Sequence, residues 1–203
     1  AEGGVANARG NSGIILSQML IGWADAADLA VAENDASFSR LCASGLRLAA
    51  LSSRRAVSQP REGTVLTLLS VAADTAAREV ERAPADLVRA IADDCAEALD
   101  RTTDQMIELA NAGVVDAGAR GFLVLLDAMV LVVTGVTNRR RVYRGAVTDS
   151  IDESHADCAG AGETDFEVMY VLSGADGTRI GELRDELGEL GDSIVIVGDS
   201  STD

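Results

Sequence analysis

ARGNSGIILSQ, residues 8–18, is the stretch from which the rest of the chain is read. Gly10-Asn11-Ser12-Gly13 has the make-up of a tight turn, and it runs straight into an apolar helix from Ile14 to Leu20. Such a helix start leaves the first N–H groups without internal partners and aims the positive end of the helix dipole at the turn. Small residues let an anion approach the backbone, and Asn11 or Ser12 can cap the helix or donate to a ligand. A plainer description also fits: an N-capped helix and nothing more. Two stretches downstream share the same character and bear on the choice.

At 203 residues the chain can bury one good core, or one domain and part of a second. A hydrophobic fraction of 47% argues against disorder. Aromatic residues make up only 3%, so the core is built from Ala, Leu and Val, which suits closely packed helices better than a β-sandwich. The net charge is −16, and all 17 basic residues are Arg. A nucleic-acid binder would show a basic face, so that class is disfavoured. Cys42, Cys95 and Cys158 are far apart and form no C-x-x-C pair, as expected of reduced thiols in a cytoplasmic protein. His155 is the single histidine, which speaks against a zinc site and ties any Ser–His dyad to its own loop. The longest apolar run, Phe122 to Val133, is interrupted by Asp127 and is short for an integral membrane segment. The chain opens Ala-Glu-Gly without Met and is read as a fragment whose natural start is missing.

Periodicity predicts a first helix over 12–31 and a second over 37–54 with Ser37 as N-cap. Pro60 and Gly63 break the chain before a helix from Val65 to about Arg82, capped by Thr64. Pro84 opens a long helix over 85–111, with a kink near Arg101-Thr102-Thr103. Asp116 caps a last helix over 117–134, which is apolar on nearly every face and so is expected at the centre of the bundle. The fold class is therefore mainly α: an antiparallel up-and-down helical bundle or barrel over residues 1–136, incomplete at its N-terminal side. Residues 137–164 read as a linker, in which Arg139-Arg140-Arg141 and Arg144 form a solvated basic run. Residues 165–203 change period. Strands at 166–172 and 193–197 flank a helix over 178–190, the start of a small α/β domain that is incomplete at its C-terminal side.

Gly10–Gly13, Glu62–Thr64 and Asp116–Gly118 each join small residues to a cap before an apolar helix. Should they share one end of the bundle, their N–H groups converge on a phosphate-sized cup that needs no Walker lysine. Should they not, they are only caps.

In this order, ARGNSGIILSQ, EGTVLTLLSVAAD (62–74) and GVVDAGARGFLVLLDAM (113–129) resemble the kinase domain of the bacterial fatty-acid kinase catalytic subunit. That domain is akin to the nucleotide-binding subunit of dihydroxyacetone kinase. The tail, with LRDELGELGDSIVIVGD (183–199), resembles the start of the middle domain that follows in the fatty-acid kinase. The resemblance implies a helical barrel that binds ATP at one end. By motif, Gly10, Asn11, Ser12 and Gly13 fall where the family's turn holds nucleotide phosphates. Thr64 and Val65 match a nucleotide-contacting Thr-Met pair, and Asp116, Ala117 and Gly118 match an Asp-Pro-Gly turn. The Asp-rich motif whose carboxylates hold two Mg2+ ions in the family has no counterpart before Ala8. No catalytic or metal residue is therefore assigned, and Asp25, Asp28 and Asp35 are read as solvated. The implied activity of the parent is phosphoryl transfer from Mg-ATP to a fatty acid carried by a DegV-type fatty-acid-binding protein, with the fragment itself inactive. The rival readings are a dihydroxyacetone-type kinase and a non-enzymatic helical scaffold. Assembly as a homodimer stays open.

Overall fold

The computed structural model describes Ala8, residues 10–141, Val168, Leu172, residues 174–191, Ile194 and Ile196. Among them the chain forms seven helices: α1 (Gly10–Ala32), α2 (Phe38–Ala56), α3 (Val65–Arg78), α4 (Pro84–Gln105), α5 (Ile107–Ala112), α6 (Ala117–Thr134) and α7 (Gly177–Leu190). Local chemistry sets most of their ends. The Ser37 hydroxyl accepts from the Arg40 N–H, and the Asp35 carboxylate accepts from the Ser37 N–H at 2.8 Å. Pro84 stands at the start of α4, where a missing N–H costs nothing. Gly135 ends α6 in the left-handed conformation, its N–H donating to the Leu131 carbonyl at 2.8 Å.

The long helices run up and down in sequence order: α1 packs on α2, α2 on α3, α3 on α4, and α6 on α4 and α3. Four contacts fix the antiparallel sense of α1, α2 and α3. The Ser53 hydroxyl near the end of α2 donates to the Ile15 carbonyl near the start of α1, at 3.3 Å. Gly22 of α1 lies directly on the backbone of Leu48 and Ala49 in mid-α2, and Gly45 of α2 accommodates the Trp23 ring. At the opposite end, the Ser39 hydroxyl donates to the Arg82 carbonyl at 3.1 Å. The core between the helices holds Leu46, Leu68, Leu69, Leu87, Ile91, Leu99 and Val130, closed by Ala49, Ala72, Ala76 and Ala92. Small alanines on facing helices let the axes approach, and this is why so few aromatic residues suffice.

Three expectations need correction. The helix predicted over 85–111 is two helices, because Met106 is extended (φ −127°, ψ 117°). Thr102 and Thr103 turn their hydroxyls onto the carbonyls of Leu99 and Asp100 just ahead of the break, a habit that bends helices. The last helix matches 117–134 but is not central. It buries Ala119, Phe122, Leu123, Leu126 and Val130 as one stripe, while Val124, Leu125 and Val132 face outward, the last 84% exposed. Finally, Arg140 is not part of a solvated run. It forks both oxygens of Asp127 in α6, reaches Asp93 of α4 at 2.8 Å, and straps the segment after α6 back onto the bundle.

By length and composition both α1 and α6 could cross a membrane, yet each buries a stripe against a neighbouring bundle helix. In the tail, α7 matches the predicted helix, with the Asp176 carboxylate accepting from the Arg179 N–H at 2.9 Å. The strands expected at 166–172 and 193–197 fall largely outside the described residues, as do His155, Cys158, Arg144 and most of the linker. One long-range contact ties the tail to the bundle: the Ser58 N–H, in the connection after α2, donates to the Ile194 carbonyl at 2.9 Å.

Candidate functional site

Alternation of direction puts the starts of α1, α3 and α6 and the ends of α2 and α4 at one end of the bundle. All three helix-start turns are thus on the same end. Two of them lie side by side: a Cβ added to Gly118 would lie 3.5 Å from the Val65 Cβ and 3.2 Å from an Asp116 oxygen. The glycine leaves a cradle between the openings of α3 and α6 that a side chain would fill.

The side chains in these turns are largely committed. Thr64 donates its hydroxyl to the Arg61 carbonyl at 2.8 Å and accepts from the Leu66 N–H at 3.3 Å. Asp116 accepts from the Ala119 N–H at 2.7 Å. Both are N-caps, as expected, so the outward-facing donors of each first turn are the backbone N–H groups of Val65, Ala117 and Gly118. Those groups, with the dipoles of α3 and α6, are what the site offers to an anion. The first turn differs from expectation. The helix begins at Gly10, so Asn11, Ser12 and Gly13 form its opening turn instead of a loop ahead of it, with Asn11 and Ser12 exposed. Arg54 and Arg55 close α2 at the same end and add positive charge there.

Beside Thr64 lies a network in which Thr67 and Arg54 join the turn residues Glu62 and Gly63. Gly63 is buried at φ 81°, a conformation glycine adopts freely, and its N–H donates to the Thr67 hydroxyl at 3.0 Å. Thr67 in turn donates to Glu62 at 2.6 Å, and Glu62 pairs with Arg54 at 2.9 Å. The Thr67 hydroxyl first, and Arg54 second, hold the Glu62 carboxyl below the ordinary glutamate range. Glu62-x-x-x-x-Thr67 spans one helix opening, so a carboxylate–hydroxyl brace was the signal available; Arg54 and the buried Thr102, which accepts from the Asp116 N–H, had none. Across the turn, Arg61 pairs with Glu108 of α5 at 2.9 Å.

Asp25 and Asp28 lie exposed on α1, while Asp35 is taken up by the Ser37 cap and by Arg40. Among the described residues no group of three or more His, Cys, Asp or Glu could hold a metal ion. An open depression of about 500 Å³ lined by Arg82, Ala83, Asp86, Arg89, Ala90 and Asp93 begins at the opposite end, away from the three turns.

The arrangement defines an antiparallel helical domain with the openings of α1, α3 and α6 at one end. Residues 1–131 match the model of the DAK2 domain, and the chain belongs to that family, which includes dihydroxyacetone-kinase-like and fatty-acid-kinase proteins. Among similar proteins, Protein YloV of Bacillus subtilis is 28% identical over 99% of this chain and 38% of its own length. An uncharacterized protein of Staphylococcus haemolyticus is 30% identical over 98% of this chain and 37% of its own. One from Staphylococcus aureus strain USA300 is 27% identical over the same shares. The chain therefore spans less than two-fifths of the length of the curated relatives it matches.

Proposed function

We propose that residues 1–136 hold the phosphates of ATP in a kinase that passes the terminal phosphoryl group to a fatty acid presented by a DegV-type binding protein, giving an acyl phosphate. The observation that carries this reading is that the two openings at Val65 and Gly118 lie side by side, with a gap between them that an added side chain would fill, on the same end as the start of α1. Convergent N–H groups and helix dipoles suit a polyphosphate, whose charge spreads over oxygens that accept from backbone donors. The turns of this chain would bind and orient the phosphates; Val65 would add an apolar wall. Magnesium would offset phosphate charge in the family's chemistry.

Titration with ATP and with Mg-ATP, followed by amide NMR, tests the reading. The expected result is saturable shifts at Val65, Ala117, Gly118 and Ser12, with none at Asp86 or Ala90 in the distant depression. No shift at millimolar nucleotide would leave the scaffold reading, in which the caps are only caps. Transfer of labelled phosphate in the longer protein, to a loaded fatty-acid carrier or to dihydroxyacetone, separates the two kinase readings.

A further inference from the structure

We propose that Thr102, at the C-terminal end of α4, is a positioning residue that sets the spacing of the two neighbouring phosphate-binding turns at Val65 and Gly118; this rests on the nucleotide reading above. Thr102 is fully buried and lies outside both turns. Its hydroxyl donates to the Leu99 carbonyl at 2.8 Å and accepts from the Asp116 N–H through a longer bond of 3.5 Å. Its carbonyl accepts from the Met106 N–H at 3.2 Å and faces the other turn: a Cβ on Gly63 would lie 3.2 Å from that oxygen. The same added Cβ would lie 2.9 Å from the Met106 Cγ and 3.0 Å from the Gln105 Cβ. The last turn of α4 is thus wedged against Gly63 on one side and bonded to Asp116 on the other. Thr102 joins Gln105 and Met106 in bounding the α3 opening, and its hydroxyl alone tethers the α6 opening.

The tether matters because Asp116 is itself the cap of α6, its carboxylate occupied by Ala119. The direction in which Ala117 and Gly118 present their N–H groups follows from where the Asp116 backbone is pinned. Without the hydroxyl, the Asp116 N–H loses its acceptor in a half-buried position, and the turn can rotate away from Val65. The surroundings of Gly63, made by the Met106 and Gln105 side chains and the Thr102 carbonyl, do not use the hydroxyl and stay in place. The loss therefore falls on the α6 opening alone.

Thr102→Val keeps the shape and removes the hydroxyl, whereas Thr102→Ser keeps the hydroxyl. In the full chain, Thr102→Val is expected to weaken ATP binding by about tenfold and to speed amide exchange at Asp116, Ala117 and Gly118 by a similar factor. Thr102→Ser is expected to stay within about twofold of the parent on both. Ile91→Val, a core change in mid-α4, serves as a control for lost stability and should leave both readouts unchanged. If valine at this position prevents folding, Thr102→Ala provides the same comparison. Parent-like affinity and exchange in Thr102→Val, or equal losses in Ile91→Val, overturn the proposal. If the parent chain binds no nucleotide, the nucleotide reading fails by itself. Exchange at Asp116 then decides the role of Thr102: faster in valine but not in serine supports it, and equal in both overturns it.

Discussion

Glu62 shows how a single ionisable side chain governs a turn without entering it. Its carboxylate receives the Thr67 hydroxyl, which in turn receives the Gly63 N–H, so charge on Glu62 supports a backbone held at positive φ. The folded state favours the ionised form, because Thr67 and then Arg54 lower the carboxyl's pKa below its ordinary value of 4.5. Between the folded and unfolded values the unfolded chain binds more protons, so stability rises with pH across that window. The contribution is present above pH 4.5 and is lost as the pH falls through the lower folded value. Thermal melts from pH 6 downward should therefore show an acid limb that Glu62→Gln flattens. An unchanged limb in that variant would place the acid sensitivity elsewhere. Thr102, at the far side of the same turn, acts by geometry and not by charge.

At the scale of elements, the glycines on α1 and α6 make opposite predictions. Gly22 sits against the backbone of Leu48 and Ala49, so Gly22→Ala forces α1 and α2 apart and should cost about 1–3 kcal/mol. Gly121 on α6 has open space around it, so Gly121→Ala should gain about 0.5–1 kcal/mol from helix propensity alone. Urea titrations of both variants check the pair, and a loss at both positions would contradict the packing described for α6. The caps Ser37, Thr64 and Asp116 and the proline opening α4 were legible in the sequence because capping is local chemistry. The shared end of the three turns stayed open in the sequence and follows from the alternating direction of the packed helices. The break at Met106 was not legible, since it lies where the turn at Gly63 packs against α4. Nor was the edge position of α6: an all-round apolar helix does not reveal which stripe meets its neighbours. Arg140 looked solvated because its partners, Asp93 and Asp127, are distant in sequence.

For the whole molecule, the two described cysteines report on opening. Burial pushes the Cys42 thiol up to about 11, and burial together with the charge of Asp94 pushes Cys95 up to about 12. Both side chains sit inside the core, Cys95 donating to the Leu68 carbonyl at 3.5 Å. Neither should react with a thiol reagent at pH 8 in the folded chain, and both should react at once in strong denaturant. Peptide mass spectrometry after labelling checks this, and rapid native labelling at Cys95 would contradict the core as described. The bond from Ser58 to Ile194 has a consequence for biosynthesis. Each helix of the bundle can pair with one already made as it emerges from the ribosome, α6 packing on α4 and the others on their predecessors. The connection between α2 and α3 cannot be completed that way: its amide waits for a carbonyl that is translated long after all six bundle helices. A nascent chain stalled ahead of Ile194 would carry a finished bundle with one loop amide still exchanging freely with water.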